Sequence, residues 1–182
     1  MRTISSLCVL LCLTVSGFAQ DVASGPDAGT NIPALKVKVK SGDFVDKTLD
    51  IAAKRKADPT FYVFIPKDKW SRPMHRFLIE LSKTTQKNIK KGQLVVVWLT
   101  DDAKATDAYL AKIANNYYQN YPITNFAYFP GAKTGPEKWT INDQADITIT
   151  VAKNGKVAAS LGYNSVNATV VREVMAAYKK KK

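Results

Sequence analysis

Cysteine is almost missing from this chain: only Cys8 and Cys12 occur, both within the first nineteen residues. Thiol–disulfide exchange needs a sulfur anion as nucleophile, so a mature chain that has shed this segment has no such chemistry and no stabilising disulfide. Cysteine-based zinc sites fall with it. Histidine is scarcer still, with His75 alone, which removes multi-histidine metal sites and triads that use a second histidine. No catalytic residue, metal or cofactor is therefore expected. Long apolar runs are also lacking once the first nineteen residues are set aside, so no transmembrane segment is expected in the mature chain.

Carboxylates are the other shortage. Asp and Glu number 15 against 27 Lys and Arg, for a formal charge of +12. A balance this basic favours anionic surroundings, and charge alone does not choose among acidic proteins, an anionic envelope surface and nucleic acid. Nucleic acid is not the expected partner. Residues 1–19 have the layout of an export signal: Arg2, an apolar stretch from Leu7 to Val15 too short to span a bilayer, and the small-x-small site Gly17-Phe18-Ala19. The protein is accordingly expected to be secreted or periplasmic. Residues 20–34, rich in Gly, Asp, Ala, Ser and Pro, read as a flexible lead-in, and 35–182 as one domain of ordinary size.

What is present centres on Pro59 to Leu81. Thr60-Phe61-Tyr62-Val63-Phe64-Ile65 is a continuous apolar run bounded by prolines, which fits a buried strand, and Phe77, Leu78 and Leu81 follow at helical spacing. Ser71 is a natural N-cap, and Pro73 in the first turn gives up no intrahelical bond. A buried strand leading into Trp70-Ser71-Arg72-Pro73-Met74 resembles the active-site turn of the thioredoxin family, Trp-Cys-Gly-Pro-Cys. Trp70 and Pro73 match that turn, and Ser71 and Met74 stand in the places of the two cysteines.

Elsewhere the patterns are plain. Leu35 to Lys40 alternates, placing Leu35, Val37 and Val39 on the core and three lysines on the other face; an edge strand guarded by lysines is preferred to a basic binding stripe. Thr48 to Ala57 reads as a helix ending before Asp58-Pro59. Leu94 to Leu99 is a strand covered on both faces, followed by a helix from Ala103 to Tyr118 with Tyr109, Leu110, Ile113 and Tyr117 on one side. Asp101 and Asp102 are read as caps rather than metal ligands. His75 is read as a surface residue.

The last third carries the second resemblance. Ile147–Val151, Asn154-Gly155 and Val157–Leu161 signal a hairpin, and Val166–Tyr178 a closing amphipathic helix, which is how thioredoxin domains end. The resemblance implies a three-layer α/β/α fold with a mixed sheet, in the order β-α-β-α-β-α-β-β-α. It also marks two departures. The family's cis-proline position is occupied by Ile147 after Asp146, where a trans bond is expected. Residues 116–146 exceed the family's connection and are rich in aromatics, read as added core in preference to a binding surface.

The expected function is a non-catalytic peptide- or protein-binding module of the envelope, with no thiol oxidoreductase activity. Its site would be the old active-site face: Trp70, Ser71, Arg72, Pro73 and Met74 with Asp146, Ile147 and Thr148. Two alternatives stand beside it. One is a glutathione-using enzyme in which the Ser71 hydroxyl stabilises a bound thiolate; the other is a basic structural domain held to an anionic envelope surface, aided by the lysine tail 179–182.

Overall fold

The computed structural model describes residues 21–117, 120–132 and 134–180. The proposed export signal with Cys8 and Cys12, the side chain of Tyr117, all of Tyr118, and the last two lysines lie outside the described residues. Strands β1 (Asp21–Val22), β2 (Lys36–Val39), β3 (Thr48–Asp50), β4 (Thr60–Pro66), β5 (Gln93–Thr100), β6 (Thr124–Pro130), β7 (Ile147–Lys153) and β8 (Lys156–Tyr163) form one sheet, ordered β1-β8-β7-β4-β5-β6-β2-β3. Helices α1 (Ile51–Arg55), α2 (Arg72–Asn88), α3 (Ala103–Tyr117) and α4 (Val170–Lys179) pack against it.

The centre is parallel and doubly covered. β4 and β5 pair in parallel and are buried at every residue, as continuous runs of apolar and β-branched side chains require. Alternation then divides their side chains between two cores. Phe61, Val63, Ile65, Val96 and Trp98 face a core closed by Phe77, Leu78 and Leu81 of α2, Leu110 of α3 and Val174 of α4. Tyr62, Phe64, Val95, Val97 and Leu99 face the other, closed by Ile51 and Ala52 of α1, the β2 side chains and Trp139. The first layer is thus three helices, and the second little more than one five-residue helix and one tryptophan.

At the end of the chain β7 and β8 form the expected hairpin, with Asn154 at φ 54° and Gly155 at φ 74° in its turn. Two consecutive positive φ values are what a tight type I′ connection demands, and the Asn-Gly pair supplies them at little cost. β7 runs antiparallel to β4.

Four expectations need correction. Residues 116–146 include an unforeseen strand, β6, parallel to β5. With Tyr121, Phe126, Tyr128 and Trp139 at 6% exposure or less, the segment adds core, as the preferred reading held. β2 is not an edge: it lies between β6 and β3, antiparallel to both. Thr48–Asp50 is the true edge strand, so the helix expected from Thr48 to Ala57 shrinks to Ile51–Arg55, capped by Asp50, which accepts from the Ala53 amide at 3.1 Å. The lead-in is fastened to the body: Asp21 and Val22 pair with Tyr163 and Gly162, Gly25 N–H donates to Thr140, and Val157 N–H donates to Thr30. The element order becomes β-β-β-α-β-α-β-α-β-β-β-α.

Candidate functional site

Local chemistry fixes the turn after β4. Pro66 ends the strand, a single 3₁₀ turn spans Lys67–Lys69, and Trp70 follows in extended conformation. Ser71 is the N-cap of α2, its hydroxyl oxygen accepting from the Met74 amide at 3.5 Å, with Pro73 inside the first turn. Both roles agree with the sequence reading.

The eight candidate residues do not share one surface. Met74, Ile147 and Thr148 are buried at 2%, 0% and 1% exposure. Met74 and Ile147 belong to the helix-covered core, whereas the Thr148 hydroxyl is hydrogen-bonded to that of Ser24 at 2.6 Å. Asp146 lies beside the turn, bound to Lys69 Nζ at 2.8 Å, and that hydrogen bond and charge raise the Lys69 pKa. No peptide bond among the described residues is cis, and the Asp146–Ile147 bond is trans. Pro73 is exposed.

The remaining three residues open onto a cavity. Trp70, Ser71 and Arg72, with His75, Tyr109, Ile113 and Tyr121, line a space of about 370 Å³ between the start of α2, the body of α3 and the loop before β6. Its walls are aromatic. The half-buried Trp70 meets Trp98 at 5.0 Å and stacks towards His75 at 6.3 Å; His75 stacks on Tyr121 at 5.5 Å, and Tyr109 on Trp98 at 5.3 Å. Burial, and then the charge of Arg76, lower the His75 pKa, which favours the neutral ring within the stack.

Four of the lining residues were not among the sequence candidates. His75 is four residues after Ser71 and so shares its helix face; that spacing could have drawn it in. Tyr109 and Ile113 are likewise four apart on α3, and Tyr109 is 44% exposed. Tyr121 carried no signal of its own, because its place depends on β6.

A mixed sheet with a helix-capped turn after its central strand, closed by a hairpin and a terminal helix, is a thioredoxin-like fold, and this chain has it. Solved structures agree. The chain is similar to a DsbF homologue from Corynebacterium diphtheriae (TM-score 0.56, 17% identity, covering 90% of this chain and 95% of that one). It is also similar to a peroxiredoxin-like protein from Aquifex aeolicus (TM-score 0.52, 14% identity, 87% and 92% covered). A secreted thiol-disulfide isomerase from Corynebacterium glutamicum gives a TM-score of 0.55 at 12% identity, with 82% and 86% covered. Likeness at these identities concerns the fold. The chain matches no protein-family profile and no curated protein.

Proposed function

We propose that this is an exported binding module that has kept a thioredoxin-like scaffold without its thiol chemistry, and that it holds a peptide segment of a partner in the cavity beside Trp70. The observation that carries this reading is the aromatic-walled space of about 370 Å³ beside the start of α2, whose Trp70–Arg72 wall follows the carboxyl end of β4, the end at which open α/β sheets bind ligands. Aromatic walls supply apolar area with few torsions to freeze, and Ser71 and Arg72 at the mouth supply polar contacts that orient a peptide. Cys8 and Cys12 are the only cysteines in the sequence, so a chain cleaved after Ala19 would have no thiolate for the chemistry named for the C. glutamicum protein.

The glutathione alternative is weaker at the same turn. Stabilising a thiolate at a helix start draws on orphan N–H groups. Here Pro73 has none, and the Met74 amide is directed to Ser71.

Tryptophan fluorescence tests the proposal. Trp98 and Trp139 are buried at 2% and 0% exposure, so an emission change on binding reports chiefly on the half-buried Trp70. Peptides selected from a random display library should shift that emission. Trp70→Ala should weaken their binding by about 2 kcal/mol, as for an interface hot spot. Selected peptides that bind Trp70→Ala equally well at matched fold stability would refute the cavity, and a fluorescence response to reduced glutathione without one to peptides would favour the enzyme reading.

A further inference from the structure

The second candidate surface lies away from the turn. Between α2 and α4 runs a groove of about 650 Å³, lined by Arg76, Glu80, Thr84 and Asn88 on one side and by Ala168, Arg172, Ala176 and Lys179 on the other, with Val171 and Met175 at its base. The α2 residues recur every four positions, so they form one ridge. From Arg76 to Asn88 that ridge extends about 18 Å at 1.5 Å per residue, or about three helical turns. Ala168 and Ala176 leave room for close approach of another backbone.

Its charge is one-sided. α2 carries Arg76, Lys83 and Lys87, besides Arg72 at its start, against the single carboxylate of Glu80. α4 and the residue after it carry Arg172, Lys179 and Lys180 against Glu173. Both carboxylates have hydrogen-bond donors within the protein, Thr84 to Glu80 at 3.3 Å and Tyr163 to Glu173 at 3.0 Å. Every ion pair among the described residues lies elsewhere, on Lys38, Lys40, Lys67 and Lys69. The groove therefore has an apolar base and a rim on which Arg76, Arg172 and Lys179 outnumber Glu80, and none of the three cations has an ion-pair partner among the described residues.

From this charge pattern we infer that the α2–α4 groove docks an acidic amphipathic helix of a partner protein, about three turns long. Such a helix sets its apolar stripe on Val171 and Met175, and its flanking carboxylates meet Arg76, Arg172 and Lys179. A flat anionic bilayer suits the surface less well, because the face is a concave groove rather than a plane. The site is separate from the Trp70 cavity and does not depend on it.

Fluorescence anisotropy with two labelled synthetic helices tests the inference. One has leucine at i, i+3, i+4 and i+7 with glutamate elsewhere; its twin has lysine for glutamate. The acidic helix should bind at least tenfold more tightly than the basic one. Arg76→Glu with Arg172→Glu should weaken it at least tenfold, and Ala176→Trp, which fills the groove without altering charge, at least fivefold. Lys54→Glu with Lys56→Glu, the same charge change on exposed positions by α1, should cost twofold or less. Circular dichroism melting confirms that each variant is folded. Equal losses from the two charge pairs, or full binding by Ala176→Trp, would reduce the effect to general attraction and overturn the site. So would binding to phosphatidylglycerol vesicles without binding to the acidic helix, which would make the face a membrane contact.

Discussion

The two faces of the sheet solve the same problem with unequal means. On one, three helices lay Phe77, Leu78, Leu81, Leu110 and Val174 over the strands. On the other, α1 is only five residues long, and Trp139 closes much of the gap, with ring centroids 5.1 Å from Tyr62 and 4.8 Å from Phe64 and its indole N–H donating to the Ala34 carbonyl at 3.0 Å. Helical cover is distributed over many contacts. Cover by one side chain is concentrated, and the consequence is a difference in how each face tolerates damage.

The largest expected effect follows from that concentration. Trp139→Ala should destabilise the protein by about 3–5 kcal/mol, the range for removing a fully buried large aromatic, and it also leaves the Ala34 carbonyl without its donor. On the helical face Leu110→Ala should cost about 2–5 kcal/mol, in the lower part of that range because neighbouring helices can close on the gap. Urea unfolding of both variants measures the contrast. If Leu110→Ala costs as much as Trp139→Ala, the second face is not the more concentrated one.

A smaller effect belongs to the outer margin of the helical face, at the edge of its apolar core. There the lysine side of β2 meets Asp107 of α3: Lys40 Nζ lies 3.1 Å from one carboxylate oxygen and Lys38 Nζ 3.6 Å from the other, while Lys40 also pairs with Asp46 and Tyr128 donates to Asp107 at 3.2 Å. Burial opposes charge at Asp107, but hydrogen bonds and charge from Lys40, then Tyr128 and Lys38, hold its carboxyl below the usual value of 3.8. The hydrogen bond from Lys40 to Asp46, against some burial, raises the Lys40 pKa. Asp107→Asn should cost about 1 kcal/mol, since these groups are partly open to water. A carboxyl whose folded pKa is lowered contributes stability that is present above its unfolded value and lost as pH falls through the folded one. Urea unfolding from pH 5 downwards should therefore show a shallower decline in Asp107→Asn than in the parent, and parallel curves would remove the network from the account.

The same contrast between faces explains what the residue order revealed. Ser71 as cap, Pro73 in the first turn and Asn154-Gly155 in the hairpin are local chemistry, each fixed by neighbours a few residues away, and all three were legible. β6 was not, because Thr124-Asn125-Phe126-Ala127-Tyr128-Phe129-Pro130 has little strand pattern of its own and is held by β5 on one side and β2 on the other. Thr48–Asp50 became a strand for the same reason, through pairing with Lys36–Lys38. Of the candidate site, Trp70, Ser71 and Arg72 were legible from the turn itself. Burial of Ile147 and Thr148, and the arrival of Tyr121 over His75, depend on chain segments distant in sequence, and no short-range pattern announces them.

The smallest effect probes the helical face where it opens, at His75. Its ring lies 20° from parallel with Trp70 and 25° from parallel with Tyr121, and burial followed by the charge of Arg76 lowers its pKa from 6.5. Because it is the only histidine in the sequence, a proton NMR titration reads one imidazole without overlap. The midpoint should fall below 6.5, and Arg76→Gln should move it part of the way back while leaving the burial contribution in place. The sign for stability follows from linkage. A histidine with a lowered folded pKa favours folding when neutral, so its contribution is present above the unfolded pKa and is lost as pH falls through the folded one. His75→Gln should remove that loss and flatten the stability profile just below pH 6.5. A titration midpoint at or above 6.5 would mean that burial does not disfavour the charged imidazole. The aromatic stack would then not close this end of the helical face, and the cavity beside Trp70 would lose one of its walls.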